Sequence, residues 1–328
     1  MKKLSFVLPC YNVEHFIGSC LDSIYAQDMS EDEFEVICVD DCSLDGTCAI
    51  IEEWQKSYSN LRLIRHAKNS YSGIARNTGI TNAEGDYICF VDADDMLPKS
   101  VMKDILSVAQ DGFLEVLLYN NIIFFQGDFV EESIKFSDSE VLSGGDFVEK
   151  CLKGNIGKLG APWAKLFKRS FLLQHSIWYS NLIVSQDVPF IWETMICANR
   201  VKSISNNGYI FRSNENSTTS NLKKPHIMYS SSILYPNVLM GVLEKYGNGI
   251  PCVIRKGMVN EIKTEINGFF YKYLSYGVEG KREIYSMIRK KTAPVWNLNE
   301  YMNRKQKMAF LSRKMGYGIF DAVVKKLF

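Results

Sequence analysis

The sequence predicts an α/β protein, a doubly wound sheet followed by a helical extension, and three observations carry that expectation. From Leu4 to Pro98, short apolar runs alternate with segments of helical period. Asp-rich or Asn-rich clusters follow three of those runs, and beyond Lys224 the chain reads as long amphipathic helices.

Each element follows from its residues. Leu4-Ser-Phe-Val-Leu8 is a strand-length apolar run stopped by Pro9 and Asn12, and Glu14 to Gln27 has the spacing of an amphipathic helix. Phe34 to Val39 gives a second strand, with a helix from near Asp45 to Tyr58. Leu61 to Arg65 gives a third, with a helix over Ser72 to Ala83. Asp86 to Val91 gives a fourth, and Pro98, suited to a first turn, opens the next helix. Strands alternating with helices in this way predict parallel pairing. Leu114 to Phe136 is strand-rich, the pattern is mixed through Arg212, and His226–Tyr246 and Val253–Tyr276 read as helices. The expected division is residues 1–220 and 221–328.

Bulk properties narrow the function. A chain of 328 residues, 46% hydrophobic and 23% charged, can bury one large core and a smaller one. A net charge of +1 provides no global field for nucleic acid, so that partner class is set aside. The cysteines are odd in number and scattered; Cys10, Cys38 and Cys89 lie in apolar runs, and Cys42 and Cys48 match neither a zinc nor a redox spacing. That usage suits a reducing compartment. Leu4 to Leu8 is too short for a signal-peptide core, and Glu115, Asn120 and Asn121 interrupt the greasiest later run, so a cytoplasmic protein is expected.

In an open α/β sheet, ligands bind outside the carboxyl ends of the strands near a switch in strand order. Three polar clusters fall at such ends. In Phe90-Val-Asp-Ala-Asp-Asp-Met-Leu-Pro98, Asp92 and Asp94 stand two apart, which in extended backbone points both carboxylates to one side. Two ionised carboxylates held close repel unless a cation lies between them, and Mg²⁺ or Mn²⁺ with diphosphate oxygens and water would satisfy them. A solvated acidic turn is the alternative. In Val39-Asp-Asp-Cys-Ser-Leu-Asp-Gly-Thr47, a carboxylate can accept the N3–H of a uracil, while Asp45 suits a helix cap. Capping does not account for both Asp40 and Asp41. In Pro9-Cys-Tyr-Asn12, Tyr11 offers a ring for a base to stack on, or packs plainly. Gly73-Ile-Ala-Arg-Asn-Thr-Gly79 matches neither phosphate-loop spacing, and Arg76 and Asn77 read as polar nucleotide ligands or as exposed helix residues.

Taken together, Pro9-x-Tyr11-Asn12, Val39-Asp-Asp-x-Ser-x-Asp-Gly-Thr47, Ala75-Arg-Asn-x-Gly79 and Phe90-x-Asp-x-Asp-Asp95 resemble, in order and approximate spacing, the family 2 glycosyltransferases with the GT-A fold. Pro162-Trp-Ala-Lys-Leu-Phe-Lys168 and Tyr209-x-Phe-Arg212 resemble segments of bacterial members. The resemblance implies a Rossmann-like mixed sheet flanked by helices, of the nucleotide-diphospho-sugar transferase type. It implies inverting transfer from a nucleotide-diphosphate sugar, UDP-linked by preference, to a hydroxyl of a bacterial surface glycan or lipid-linked glycan.

The site residues it implies are Pro9, Tyr11, Asp40, Asp41, Arg76 and Asp92 for the donor, with Tyr11 and Asp41 on the uracil and Arg76 beside it. Asp92 would approach the ribose or the metal sphere, and Asp94 would hold the divalent cation, Mn²⁺ or Mg²⁺, across the diphosphate. The family places its general base in a Glu-Asp pair; in Ser185-Gln-Asp-Val-Pro-Phe190, Asp187 matches the acid and Gln186 replaces the Glu. Asp187 and Pro189 also suit a plain helix start. Arg212 and the polar segment Asn214 to Ser220 read as a lid over the diphosphate or as a surface loop, and Trp163 and Trp192 are offered for a sugar face or for the core.

From Asn303 to Phe328, seven basic residues and one acid, Asp321, are interleaved with apolar ones. A basic amphipathic helix of this kind lies on an anionic membrane surface or packs on the catalytic domain with its lysines wet. Two other readings remain: a sugar-phosphate nucleotidyltransferase, for which Pro9-Cys-Tyr-Asn12 lacks the glycine-rich opening, and a non-catalytic nucleotide-sugar-binding relative, which Gln186 encourages.

Overall fold

The computed structural model describes residues 2–125, 128–129, 135–154, 159–212, 224–290 and 298–328. The chain divides into two compact units, Met1–Asn181 with Phe190–Asn214, and Leu182–Pro189 with Glu215–Phe328. The boundary expected at 220/221 lies outside the described residues.

The first unit holds one mixed sheet. Its strands are β1 (Leu4–Cys10), β2 (Phe34–Asp40), β3 (Leu61–Arg65), β4 (Tyr87–Phe90), β5 (Val116–Phe125), β6 (Asp128–Phe129), β7 (Lys165–Lys168) and β8 (Val201–Arg212). The order is β3-β2-β1-β4-β7-β5-β6, with β8 parallel to β5 along its other edge. The expectation of parallel pairing holds for β3, β2, β1 and β4. It stops at β7, which runs antiparallel between β4 and β5 and makes the sheet mixed.

Alternation along β1 decides what covers each face. Leu4, Phe6, Leu8 and Cys10 face a core shared with α1 (Ile17–Tyr25) and α4 (Met102–Asp111), through Ile17, Leu21, Ile24, Ile105 and Leu106. Val7 points to the opposite face, against α3 (Tyr71–Asn82). A Cβ on Gly79 would lie 2.1 Å from Val7 Cγ1, so glycine there lets the helix rest directly on the strand.

Two helices begin later than their sequence pattern. α1 starts at Ile17 because the Val13 carbonyl accepts both Phe16 and Ile17 N–H, and Glu14 is turned to the Gly46 N–H. α4 starts at Met102, beyond Pro98, because Gln27 Oε1 accepts the Val101 and Met102 N–H groups at 3.0 Å each, while Gln27 Nε2 donates to the Pro98 carbonyl. A side chain from the end of α1 thus caps α4.

The second unit is helical: α8 (Pro225–Tyr229), α9 (Tyr235–Tyr246), α10 (Cys252–Ser275), α11 (Val278–Arg289), α12 (Arg304–Ser312) and α13 (Tyr317–Leu327). The helix expected over His226–Tyr246 carries a π-helical turn, Ser230–Leu234. Ile254, Met258, Ile262, Ile266 and Phe270, four residues apart on α10, are fully buried, and Phe269 and Phe270 contact the Phe310 ring. The basic tail forms two helices, not one. Asn303 and Gln306 make a capping box before α12, and Gly316, at φ 111°, breaks the chain before α13.

Candidate functional site

The chain runs outward from β1 to β2 and β3, then returns to β4 on the other side of β1. A crevice is expected at that reversal, outside the strands' carboxyl ends. On β1, β4 pairs with Leu4–Val7 and no further, so Pro9 and Cys10 extend past it, and Pro9 gives up no bond to β4 by lacking an N–H. Tyr11 follows with its ring 45% exposed. Asn12, at φ 52°, turns the chain.

Reciprocal bonds tie the loops after β1 and β2. Asn12 N–H donates to Ser43 Oγ at 2.9 Å, and Leu44 N–H donates back to Asn12 Oδ1 at 2.8 Å. Val13 N–H donates to Thr47 Oγ1, and Glu14 N–H to Asp45 Oδ2. Asp45 Oδ1 accepts the Thr47 N–H at 3.0 Å at the start of α2 (Thr47–Gln55), which is the capping role its position suggested.

Asp40 and Asp41, both buried, have different surroundings. Asp40 Oδ2 accepts the Ser43 N–H at 3.2 Å, and burial with Asp40 beside it pushes the Cys48 thiol up to about 11. Asp41 accepts the Ser70 N–H on both oxygens at 2.9 Å and lies 2.8 Å from His66 Nδ1. With the His66 proton on Nδ1, Nε2 accepts the Thr78 hydroxyl at 2.9 Å. The carboxylate expected to read a base is therefore held by a histidine that the sequence reading passed over. His66 is the first residue after β3, the strand-end position that singled out the other clusters, so the signal was present.

Arg76, on the second turn of α3, is buried, and Nη2 donates to Asp92 Oδ1 at 2.6 Å. Its guanidinium lies over the Tyr179 ring, 5.4 Å from the centroid, and Asn77 exchanges two bonds with the Tyr179 backbone. Arg76 is thus not an ordinary exposed helix residue.

β4 ends at Phe90, and the next acids form a turn in which Asp95 N–H donates to the Asp92 carbonyl at 2.9 Å. This corrects the extended backbone assumed for Asp92 and Asp94. A turn, not strand alternation, sets their directions. Burial still alternates: Ala93 and Asp95 are buried, Asp92 and Asp94 half-buried. Asp95 accepts the Tyr209 hydroxyl at 2.6 Å and the Arg212 N–H at 2.8 Å. Burial, then the charges of Asp92 and Asp94, push the Asp95 carboxyl well above the ordinary range. Among the described residues no three His, Cys, Asp or Glu side chains are grouped to hold a metal. A cation on Asp94 would draw its remaining ligands from substrate and water.

Arg212 braces this turn. Nε donates to the Asp94 carbonyl, Nη1 to Ser19 Oγ at 2.6 Å, and Nη2 to the Phe16 carbonyl at 3.2 Å and the Asp95 carbonyl at 3.3 Å. The lid expected at Asn214 to Ser220 lies outside the described residues. Trp163 stacks on Tyr209 with centroids 4.9 Å apart, and Trp192 is buried. Asp187 belongs to the second unit as the first residue of α7 (Asp187–Cys197), following Ser185 at φ 63° and a buried Gln186.

The chain is similar to known proteins in sequence and in fold. The family model "Glycosyl transferase family 2" matches residues 5–175. A poly(ribitol-phosphate) beta-glucosyltransferase of Bacillus spizizenii is 29% identical over 212 residues, 64% of this chain and 32% of that protein. The chain thus spans about a third of the length of the curated relatives it matches first. The crystal structure of S. aureus TarS 1–349 in complex with UDP-GlcNAc superposes with a TM-score of 0.67 at 21% identity, covering 98% of this chain and 90% of that one. A mannosyltransferase from Pyrobaculum calidifontis, in complex with GDP-Man and Mn²⁺, does so with a TM-score of 0.54 at 13% identity, covering 99% and 86%. The fold is therefore the mixed-sheet GT-A fold.

Proposed function

The chain belongs to glycosyl transferase family 2, and from that premise we propose that it moves a sugar from a UDP-linked donor to a hydroxyl of a bacterial surface glycan or lipid-linked glycan, with inversion. The observation that carries this reading is the convergence of Tyr11, Asp41, Arg76 and Asp92 on the carboxyl ends of four parallel strands. Binding of UDP-GlcNAc by the fold relative supports a uridine donor.

The roles follow from the surroundings. Tyr11 presents a half-exposed ring to the base. Asp41, oriented by His66 and Ser70, accepts the uracil N3–H. Pro9 and Asp40 shape the floor beneath them. Arg76 holds Asp92 toward the ribose, and Arg212 steadies the turn from which Asp94 binds Mn²⁺ or Mg²⁺. A divalent cation held by Asp94 would supply the positive charge that offsets the departing diphosphate. Asp187 takes the proton from the acceptor hydroxyl as its oxygen attacks the anomeric carbon and the bond to the diphosphate breaks. A cytoplasmic setting is part of this proposal.

Two substitutions test it, with UDP binding followed calorimetrically and nucleoside diphosphate release followed over a panel of nucleotide sugars. Asp94→Asn is expected to abolish the Mn²⁺-dependent part of UDP binding. Asp187→Asn is expected to leave that binding intact and to slow transfer by about 10²–10⁴-fold. Transfer at the parent rate by Asp187→Asn removes the base assignment. UDP binding without turnover on every donor would favour a nucleotide-sugar-binding protein instead.

A further inference from the structure

Four exposed large hydrophobic side chains fall close together in the second unit: Met308, Leu311, Met315 and Ile319, each 44–66% exposed. They recur at intervals of three, four and four residues through α12, the turn Arg313–Met315 and the start of α13. Core packing does not account for them, because the inward stripes of these helices are already supplied by Ala309, Phe310, Phe320 and Val324, all fully buried. The solvent-exposed positions of a soluble helix are ordinarily polar, so four large apolar side chains exposed within twelve residues call for a partner.

The residues around these four are cationic. Arg304, Lys305, Lys314, Lys325 and Lys326 are exposed and Lys307 is half-exposed. The one acid of these two helices, Asp321, is already engaged, accepting from Lys325 Nζ at 2.6 Å and the Tyr273 hydroxyl at 3.2 Å. Exposed apolar and exposed basic groups therefore alternate along this stretch, and its one acid is already paired.

We propose that this face of α12 and α13 docks on an anionic lipid surface, with the lysines and arginine on the headgroups and the four apolar side chains at the acyl boundary. Charge complementarity selects that occupant. A second copy of the same face would bring like charges together. A nucleic acid would satisfy the cations but leave the apolar side chains without a partner. Among the described residues no helix is long and apolar enough to cross a membrane, so the contact is lateral. The inference goes beyond sugar transfer and draws on no donor-site residue.

The test is sedimentation of the full chain with phosphatidylcholine vesicles, with and without phosphatidylglycerol, at low and high salt. Binding is expected only with phosphatidylglycerol and weakens with salt. Replacing Met308, Leu311, Met315 and Ile319 together by Ser lowers it about tenfold or more, and Lys305→Gln with Lys314→Gln weakens it further at low salt. Calorimetric UDP binding unchanged in both variants separates loss of docking from misfolding or failure of the donor site. Absence of binding by the parent chain, or parent-level binding by the four-serine variant, overturns the proposal. So does a dimer in sedimentation velocity that the four-serine variant abolishes while no vesicles are bound, which assigns the face to self-association.

Discussion

The Arg76 guanidinium lies 2.6 Å from the Asp92 carboxylate, and the two ends of that pair differ in exposure, 4% for the arginine side chain and 29% for the aspartate. The cation is thus a fixed part of the unit while the anion still reaches solvent. Removing one partner of a buried pair costs about 3–5 kcal/mol. Hydration of Asp92 recovers part of it, so Arg76→Ala is expected to lose about 1–3 kcal/mol in urea denaturation. Asp92→Asn in the same chain should restore some of that loss, and strict additivity in a double-mutant cycle would show the two side chains to be uncoupled.

His66 is expected to act through Asp41 and not on the nucleotide itself. With His66→Ala the carboxylate keeps only the Ser70 N–H among the partners named above. UDP affinity should fall by roughly three- to tenfold, the scale of one lost hydrogen bond, and turnover at saturating donor should change little. His66→Gln, whose amide can still donate to Asp41, should recover part of the affinity. A calorimetric titration of UDP into each variant reads this directly, and equal losses for Ala and Gln would make the histidine a packing residue.

Gly79→Ala tests the seat of α3 on β1. With 2.1 Å between the added carbon and Val7 Cγ1, helix or strand must move. Overpacking of this kind costs about 1–3 kcal/mol. The urea midpoint is expected to drop with an unchanged slope, and UDP binding should weaken as well, since Arg76 rides one turn earlier on the same helix.

Asp45 predicts a pH dependence. Burial alone would raise its carboxyl, but bonds from the Thr47 hydroxyl and the Glu14 and Thr47 N–H groups hold it below its ordinary value of 3.8. A depressed carboxylate stabilises the folded chain above the unfolded value, and that contribution disappears as pH falls through the folded one. Asp45→Ala should therefore cost about 1–2 kcal/mol near neutrality and progressively less below pH of about 4. Thermal melts of both chains across that range check the convergence.

The sequence alone determined the parallel half of the fold and the placing of polar clusters at the ends of its strands. Apolar runs of strand length, helices between them and acids at the strand ends are local patterns, and period and burial follow from them without knowledge of partners. Tyr11, Asp40, Asp41, Arg76, Asp92 and Asp94 were legible as candidates for that reason. Tertiary structure decided the rest, because it depends on residues far apart in the chain. The antiparallel β7 enters the sheet between β4 and β5, more than 70 residues after β4 ends. Gln27 delays α4 from across the core, and Tyr209 and Arg212 hold the acidic turn from more than 110 positions away. The exposed apolar side chains of α12, the turn Arg313–Met315 and α13 belong to the same class. The residues were visible in the sequence, but which of them face inward depended on what the neighbouring helices left room to bury.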